Sequence, residues 1–107
     1  MRHVVAFVPD LMDRSRLRST DAVTVRLVGL GQLAALGGPD QPDEPVDLVV
    51  VDLTRPGALD AVEALAGRWP VLGFGPHVDD DLLAAARAAG CTEVLPRSRF
   101  FARWPDV

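Results

Sequence analysis

Two aspartates close hydrophobic runs in this chain, Asp10 in "HVVAFVPD" and Asp52 in "DLVVVDLTRPG". An unpaired carboxylate is costly to bury. A strand that ends on one therefore brings it to the mouth of a sheet, where its charge can reach solvent or a cation. Two such groups side by side suit a hard, oxygen-seeking ion such as Mg²⁺. With its charge offset by the ion, one carboxylate can attack a phosphoryl group as a nucleophile. His77, in "GPHVDDD", follows a later apolar run and falls on the same rim. A solvated loop histidine is the plainer reading of it, and a metal or phosphate contact the sharper one.

The elements that must position these groups are legible as five apolar runs: 3–8, 23–29, 46–53, 70–75 and 92–96. The first, third and fourth are nearly continuous in Val, Leu and Phe, as strands buried on both faces are. The second alternates, with Thr24 and Arg26 opposite Val23, Val25 and Leu27, and reads as an edge strand. Helices lie between the runs. "DDDLLAAARAAG" opens on three acids where the helix dipole favours them and stops at Gly90. Its spacing puts Val78, Leu82, Ala85, Ala86 and Ala89 on one face. "ALDAVEALAGRW" turns Leu59, Val62, Leu65 and Ala66 inward by the same spacing, and "LMDRSRLRS" and "QLAALGG" are shorter helices. Strands alternating with helices predict one flavodoxin-like α/β domain over residues 1–107. Its five-stranded parallel sheet has order 2-1-3-4-5, helices on both faces and a shortened last helix. In such a sheet ligands bind beyond the strands' carboxyl ends, between the first and third strands. Asp10 and Asp52 are expected to face each other there.

Composition narrows the function. Half of the 107 residues are hydrophobic (49%) and the net charge is −4, which argues against nucleic acid as a partner. The basic clusters, Arg16 with Arg18 and Arg97 with Arg99 and Arg103, are small. All eleven basic residues are arginine, so any mechanism that needs a lysine is excluded. Cys91 stands alone, which rules out an intramolecular disulfide and fits a reducing cytoplasm. The run Val4 to Val8 is too short for a signal-peptide core or a membrane span, and no membrane partner is expected. "GGPDQPDEP" (37–45) reads as a surface loop.

At Asp52 the chain resembles the receiver domains of bacterial response regulators, the phosphorelay modules of two-component systems. "DLVVVDLTRPG" is similar to the phosphoacceptor segment of that family, and "WPVLGFGPHVDDDLLAAARAAGCTEVLPRSRF" to its fourth strand, fourth helix and fifth strand. "VPD" stands where the family has an acidic pair. The resemblance implies Asp52 as phosphoacceptor, Asp10 and Asp52 as Mg²⁺ ligands, and the Thr54 carbonyl as a third ligand. It also carries departures. Pro9 replaces the first acid of the pair, Gly75 the hydroxyl residue that bonds the phosphoryl group, Arg97 the phosphate-pairing lysine, and Ser98 the proline after it. Arg97 could still hold a phosphate, since guanidinium binds oxyanions. Gly75 cannot replace a hydroxyl.

Other signals are weaker. "GLGQLA" (29–34) matches a dinucleotide fingerprint, but Gly37, Gly38 and Pro39 stop the helix that would carry a pyrophosphate. "DLMDRS" is similar to a cobalamin-binding motif with Met12 in place of the ligating histidine. Asp79, Asp80 and Asp81 read as a cap and first turn, and Cys91 as a small buried hydrophobe. Phe100, Phe101 and Trp104 in "RFFARW" either anchor a partner or plug the core that a long last helix would cover.

The chain therefore reads as a stand-alone pseudo-receiver of the bacterial cytoplasm, non-enzymatic, with a degenerate site at Asp52 and Asp10. It would act on a protein partner (a kinase, an effector or a second copy of itself). Two rivals stand beside this reading: a competent Mg²⁺-dependent receiver phosphorylated on Asp52, and a small ligand-binding or catalytic module built on Asp10, Asp52 and His77.

Overall fold

The computed structural model describes residues 1–39, 42, 44–65 and 67–107. Strands and helices alternate: β1 (Arg2–Phe7), α1 (Leu11–Arg16), β2 (Val23–Leu27), α2 (Leu30–Ala35), β3 (Leu48–Asp52), α3 (Ala58–Ala64), β4 (Val71–Gly75), α4 (Asp80–Ala89), β5 (Glu93–Pro96) and α5 (Arg97–Arg103). All strand pairs are parallel, in the order β2-β1-β3-β4-β5. The expected topology is the observed one, and β2 is the edge strand the alternation predicted.

The Val-rich strands explain the layering. Side chains alternate across a strand, so a strand covered on both faces must be apolar at every position. Val5, Phe7, Val49, Val51 and Val71 form one core with Leu33 of α2, Ala61 and Val62 of α3 and Ala86 of α4. Val4, Ala6, Val50, Leu72 and Phe74 form the other with Leu17 and with Phe100 of α5. Where α2 meets α3 the approach is so close that a Cβ on Gly37 would collide with the Ala64 carbonyl. Arg68 secures the same junction by donating from Nη1 to the carbonyls of Leu36 (3.0 Å) and Gly38 (2.7 Å).

Asp79 caps α4 by accepting the Leu82 N–H at 2.8 Å, and Gly90 ends the helix at φ 121°, as the acid run and the glycine predicted. Ala85, expected on the inner face of α4, is exposed instead. The sheet-facing stripe is narrower than spacing alone implied and centres on Ala86, with Leu82, Val94 and Ala89 packed round that core. On α3, Leu59 is half-buried while Val62 and Leu65 are fully buried. Ala66, also expected inward, lies outside the described residues, as do Asp40, Gln41 and Asp43 of the surface loop.

The aromatic end of the chain resolves towards the core. Phe100 is 0% exposed and stacks on Phe74, with ring centroids 4.9 Å apart and planes 6° from parallel. It cannot anchor a partner, because nothing of it is accessible. Phe101 lies edge-on to both rings and Trp104 sits 6.0 Å from Phe100, both half-buried against the same core. A seven-residue helix covers little of the sheet, so it compensates with large rings. Phe100→Ala should cost about 3–5 kcal/mol in urea unfolding, the range for a fully buried phenylalanine, and Trp104→Ala clearly less. A Phe100→Ala loss within the scatter of surface substitutions, about 0.5 kcal/mol, would contradict this packing.

Candidate functional site

Because β1 and β3 are neighbours, with Phe7 registered against Val51, their carboxyl ends open side by side. Asp52 is the last residue of β3 and only 5% exposed. Its burial is compensated locally. Oδ1 accepts from the Thr54 N–H (3.0 Å) and the Thr54 hydroxyl (2.7 Å), and Arg55 Nε lies 3.5 Å from Oδ2. The side chain thus turns back on its own loop, a common use of aspartate at a turn. Solvent or a bound cation was the expected refuge for this charge; the structure supplies Thr54 and the Arg55 guanidinium.

Asp10 follows β1 and serves as the N-cap of α1, with Oδ1 accepting the Asp13 N–H at 3.0 Å. That hydrogen bond holds the Asp10 carboxyl below the ordinary carboxylate range, and the Met12 N–H and the charges of Arg55 and Arg97 act in the same direction against a smaller desolvation. One turn later the helix presents Asp13, which is 3% exposed. Arg97, the first residue of α5, donates to both carboxylate oxygens of Asp13, from Nε at 3.2 Å and from Nη2. This two-point pair holds the Arg97 guanidinium above its already high pKa. The same guanidinium stands 5.4 Å from the Phe101 ring centroid, and Arg16 covers that ring at 5.0 Å.

Asp13 and Arg55 are the two site residues that the sequence reading passed over. Arg55 was visible as a cation three residues after Asp52, on a turn; Asp13 as an acid in the first turn after a capping Asp10. Of the groups that were singled out, Asp10 and Asp52 do share the rim, and Arg97 joins them but is already paired. Gly75 ends β4, buried, and a Cβ there would be in ordinary van der Waals contact, 3.7 Å from Thr54 Cγ2 and from Leu82 Cδ2. His77 is exposed in the following loop and makes no hydrogen bond to the rim groups among the described residues.

A resident Mg²⁺ needs near-octahedral oxygen ligation. Here Asp52 Oδ1 already accepts two donors from Thr54 and Oδ2 faces Arg55. Asp10 caps a helix and Asp13 is paired with Arg97. Thr54 meets Asp52 through its N–H and hydroxyl. Among the described residues no three His, Cys, Asp or Glu side chains gather into a metal-binding group. The donors present fit guanidinium partners and do not fit a bound Mg²⁺.

No family model matches the chain, and no curated protein does. Solved structures do. A response regulator from Thermotoga maritima superposes with a TM-score of 0.73 at 16% identity, covering 95% of this chain and 92% of that one. The phosphorylated cyanobacterial phytochrome response regulator RcpA gives 0.71 at 15% identity over 95% and 84%. A putative CpaE2 pilus assembly protein from Sinorhizobium meliloti gives 0.64 at 24% identity over 94% of each chain. The chain has the receiver fold. Within that receiver fold, the rim carries three carboxylates and two guanidiniums in mutual contact or electrostatic reach.

Because the folded-state pKa of Asp10 is depressed, its cap contributes stability above the unfolded carboxylate range and loses it as pH falls through the lowered value. Asp10→Ala should therefore be less stable than wild type near neutrality, and the difference should shrink in acid. Urea midpoints at the two pH values check this; a difference that grows in acid would contradict it.

Proposed function

We propose that this chain is an atypical receiver that acts by protein contact and does not turn over phosphate at Asp52. One observation carries the reading: Arg97, at the position where the receiver resemblance puts the phosphate-pairing lysine, is already bound at two points by the buried Asp13. An incoming phosphoryl group would have to break that pair and leave a buried carboxylate uncompensated. Gly75 adds to this, since it offers no hydroxyl to a phosphoryl oxygen. Each absent group removes stabilisation from a phosphoryl-transfer transition state.

Contact is supported by the surface beside the rim. Leu11 and Met12, 79% and 77% exposed, stand on α1 directly after Asp10. Proteins of the same fold carry different names, response regulators among them and putative pilus assembly proteins as well. A receiver here would serve a bacterial signalling or assembly partner, a kinase or effector, or a second copy of the chain. None of the helices described is long and apolar enough to cross a membrane. A cytoplasmic setting and a single domain over residues 1–107 belong to the same proposal. The catalytic rival built on His77 draws less support, because that side chain is exposed and unconnected to the rim.

The test is intact-mass spectrometry after incubation with Mg²⁺ and a small acyl-phosphate donor, on wild type and Asp52→Asn. The expected result is no phosphoryl adduct on either. An adduct on wild type that disappears in Asp52→Asn would establish the competent Mg²⁺-dependent receiver instead.

A further inference from the structure

The three carboxylates at the rim are answered by two guanidiniums, and the second of these has no counterpart among the expected site residues. Arg55 comes from the turn after β3. That turn is held by the Thr54 contacts to Asp52, by the Ala58 N–H donating to the Arg55 carbonyl at 3.1 Å, and by Gly57 at φ 82°. The turn therefore places the Arg55 backbone beside the carboxyl end of β3. Its Nε stands 3.5 Å from Asp52 Oδ2, and its charge also lowers the pKa of Asp10. Arg55 is thus the cation that acts on both Asp10 and Asp52.

We propose that Arg55 is a built-in monovalent substitute for a divalent cation and makes the rim refractory to metal. Three carboxylates against two guanidiniums leave one negative charge, which a dication would overshoot. Without Arg55 the balance is two negative charges, which a dication neutralises. The positive charge of Arg55 therefore acts against metal entry more than for fold stability. Its side chain is 42% exposed, so solvent screens its pairing with Asp52, which the two Thr54 donors already serve. A dication and a guanidinium roughly 5 Å apart repel by about tenfold in affinity even at the dielectric of water. The inference rests on the reading of an unreactive Asp52, and a metal titration without phosphoryl donor scores it separately from phosphorylation.

The experiment is a Mn²⁺ titration at constant ionic strength, followed by the electron paramagnetic resonance of free Mn²⁺. The proteins are wild type, Arg55→Gln, Arg55→Lys and the double variant Arg55→Gln with Asp10→Asn, each shown to be folded by circular dichroism. Arg55→Gln should bind Mn²⁺ about tenfold more tightly than wild type or better. Arg55→Lys, which keeps the charge, should stay with wild type, and Asp10→Asn should abolish the gain. The proposal is overturned if Arg55→Gln binds no more tightly than wild type. It is equally overturned if Arg55→Lys gains as much, or if the gain survives the loss of Asp10.

Discussion

A carboxylate buried as deeply as Asp13 must have a counterion, and much of this rim follows from where it finds one. Arg97 reaches it from the far end of the sequence and grips both oxygens. That pair joins the first helix to the last across the mouth of the sheet, on the face where Phe74 and Phe100 stack. The same guanidinium flanks Phe101, so the ion pair and the aromatic plug support each other. It also commits one of the two guanidiniums of the rim to a partner within the chain.

The rest of the rim repeats this self-sufficiency. Asp10 caps a helix, and Asp52 is served by Thr54 and Arg55 two and three residues further on. Most of the charge that could have been left for a ligand is offset by the chain itself. Asp52 thus sits within an internally compensated network. Beside the rim the apolar pair Leu11 and Met12 is left exposed.

The fold was legible because its signals are local or periodic. Nearly unbroken apolar runs in β1 and β3 match burial on both faces, and the acids and glycine bounding α4 mark its ends directly. The location of the site followed from topology, since the winding reversal puts the ends of β1 and β3 together. Its chemistry was less legible. Asp13 and Arg97 are 84 residues apart, and no spacing rule links them. Arg55 is close to Asp52 in sequence, yet only the turn geometry shows that its guanidinium folds back. Ala85 was misplaced because alanine satisfies either face of a helix at little cost. Phe100 and Phe101 are identical by type; which one is buried depends on how a short helix meets Phe74.

The rim's internal compensation depends most on the Asp13–Arg97 pair being an energetic link as well as a geometric one. A double-mutant cycle on Asp13→Asn and Arg97→Gln, read by urea unfolding near neutral pH, measures it directly. Two charge-assisted hydrogen bonds to a buried carboxylate, discounted for the partial exposure of Arg97, predict a favourable coupling of about 1 kcal/mol or more. Additive single effects would mean that the pair makes no energetic link across the rim, and the reading of Arg97 as already committed would have to be abandoned.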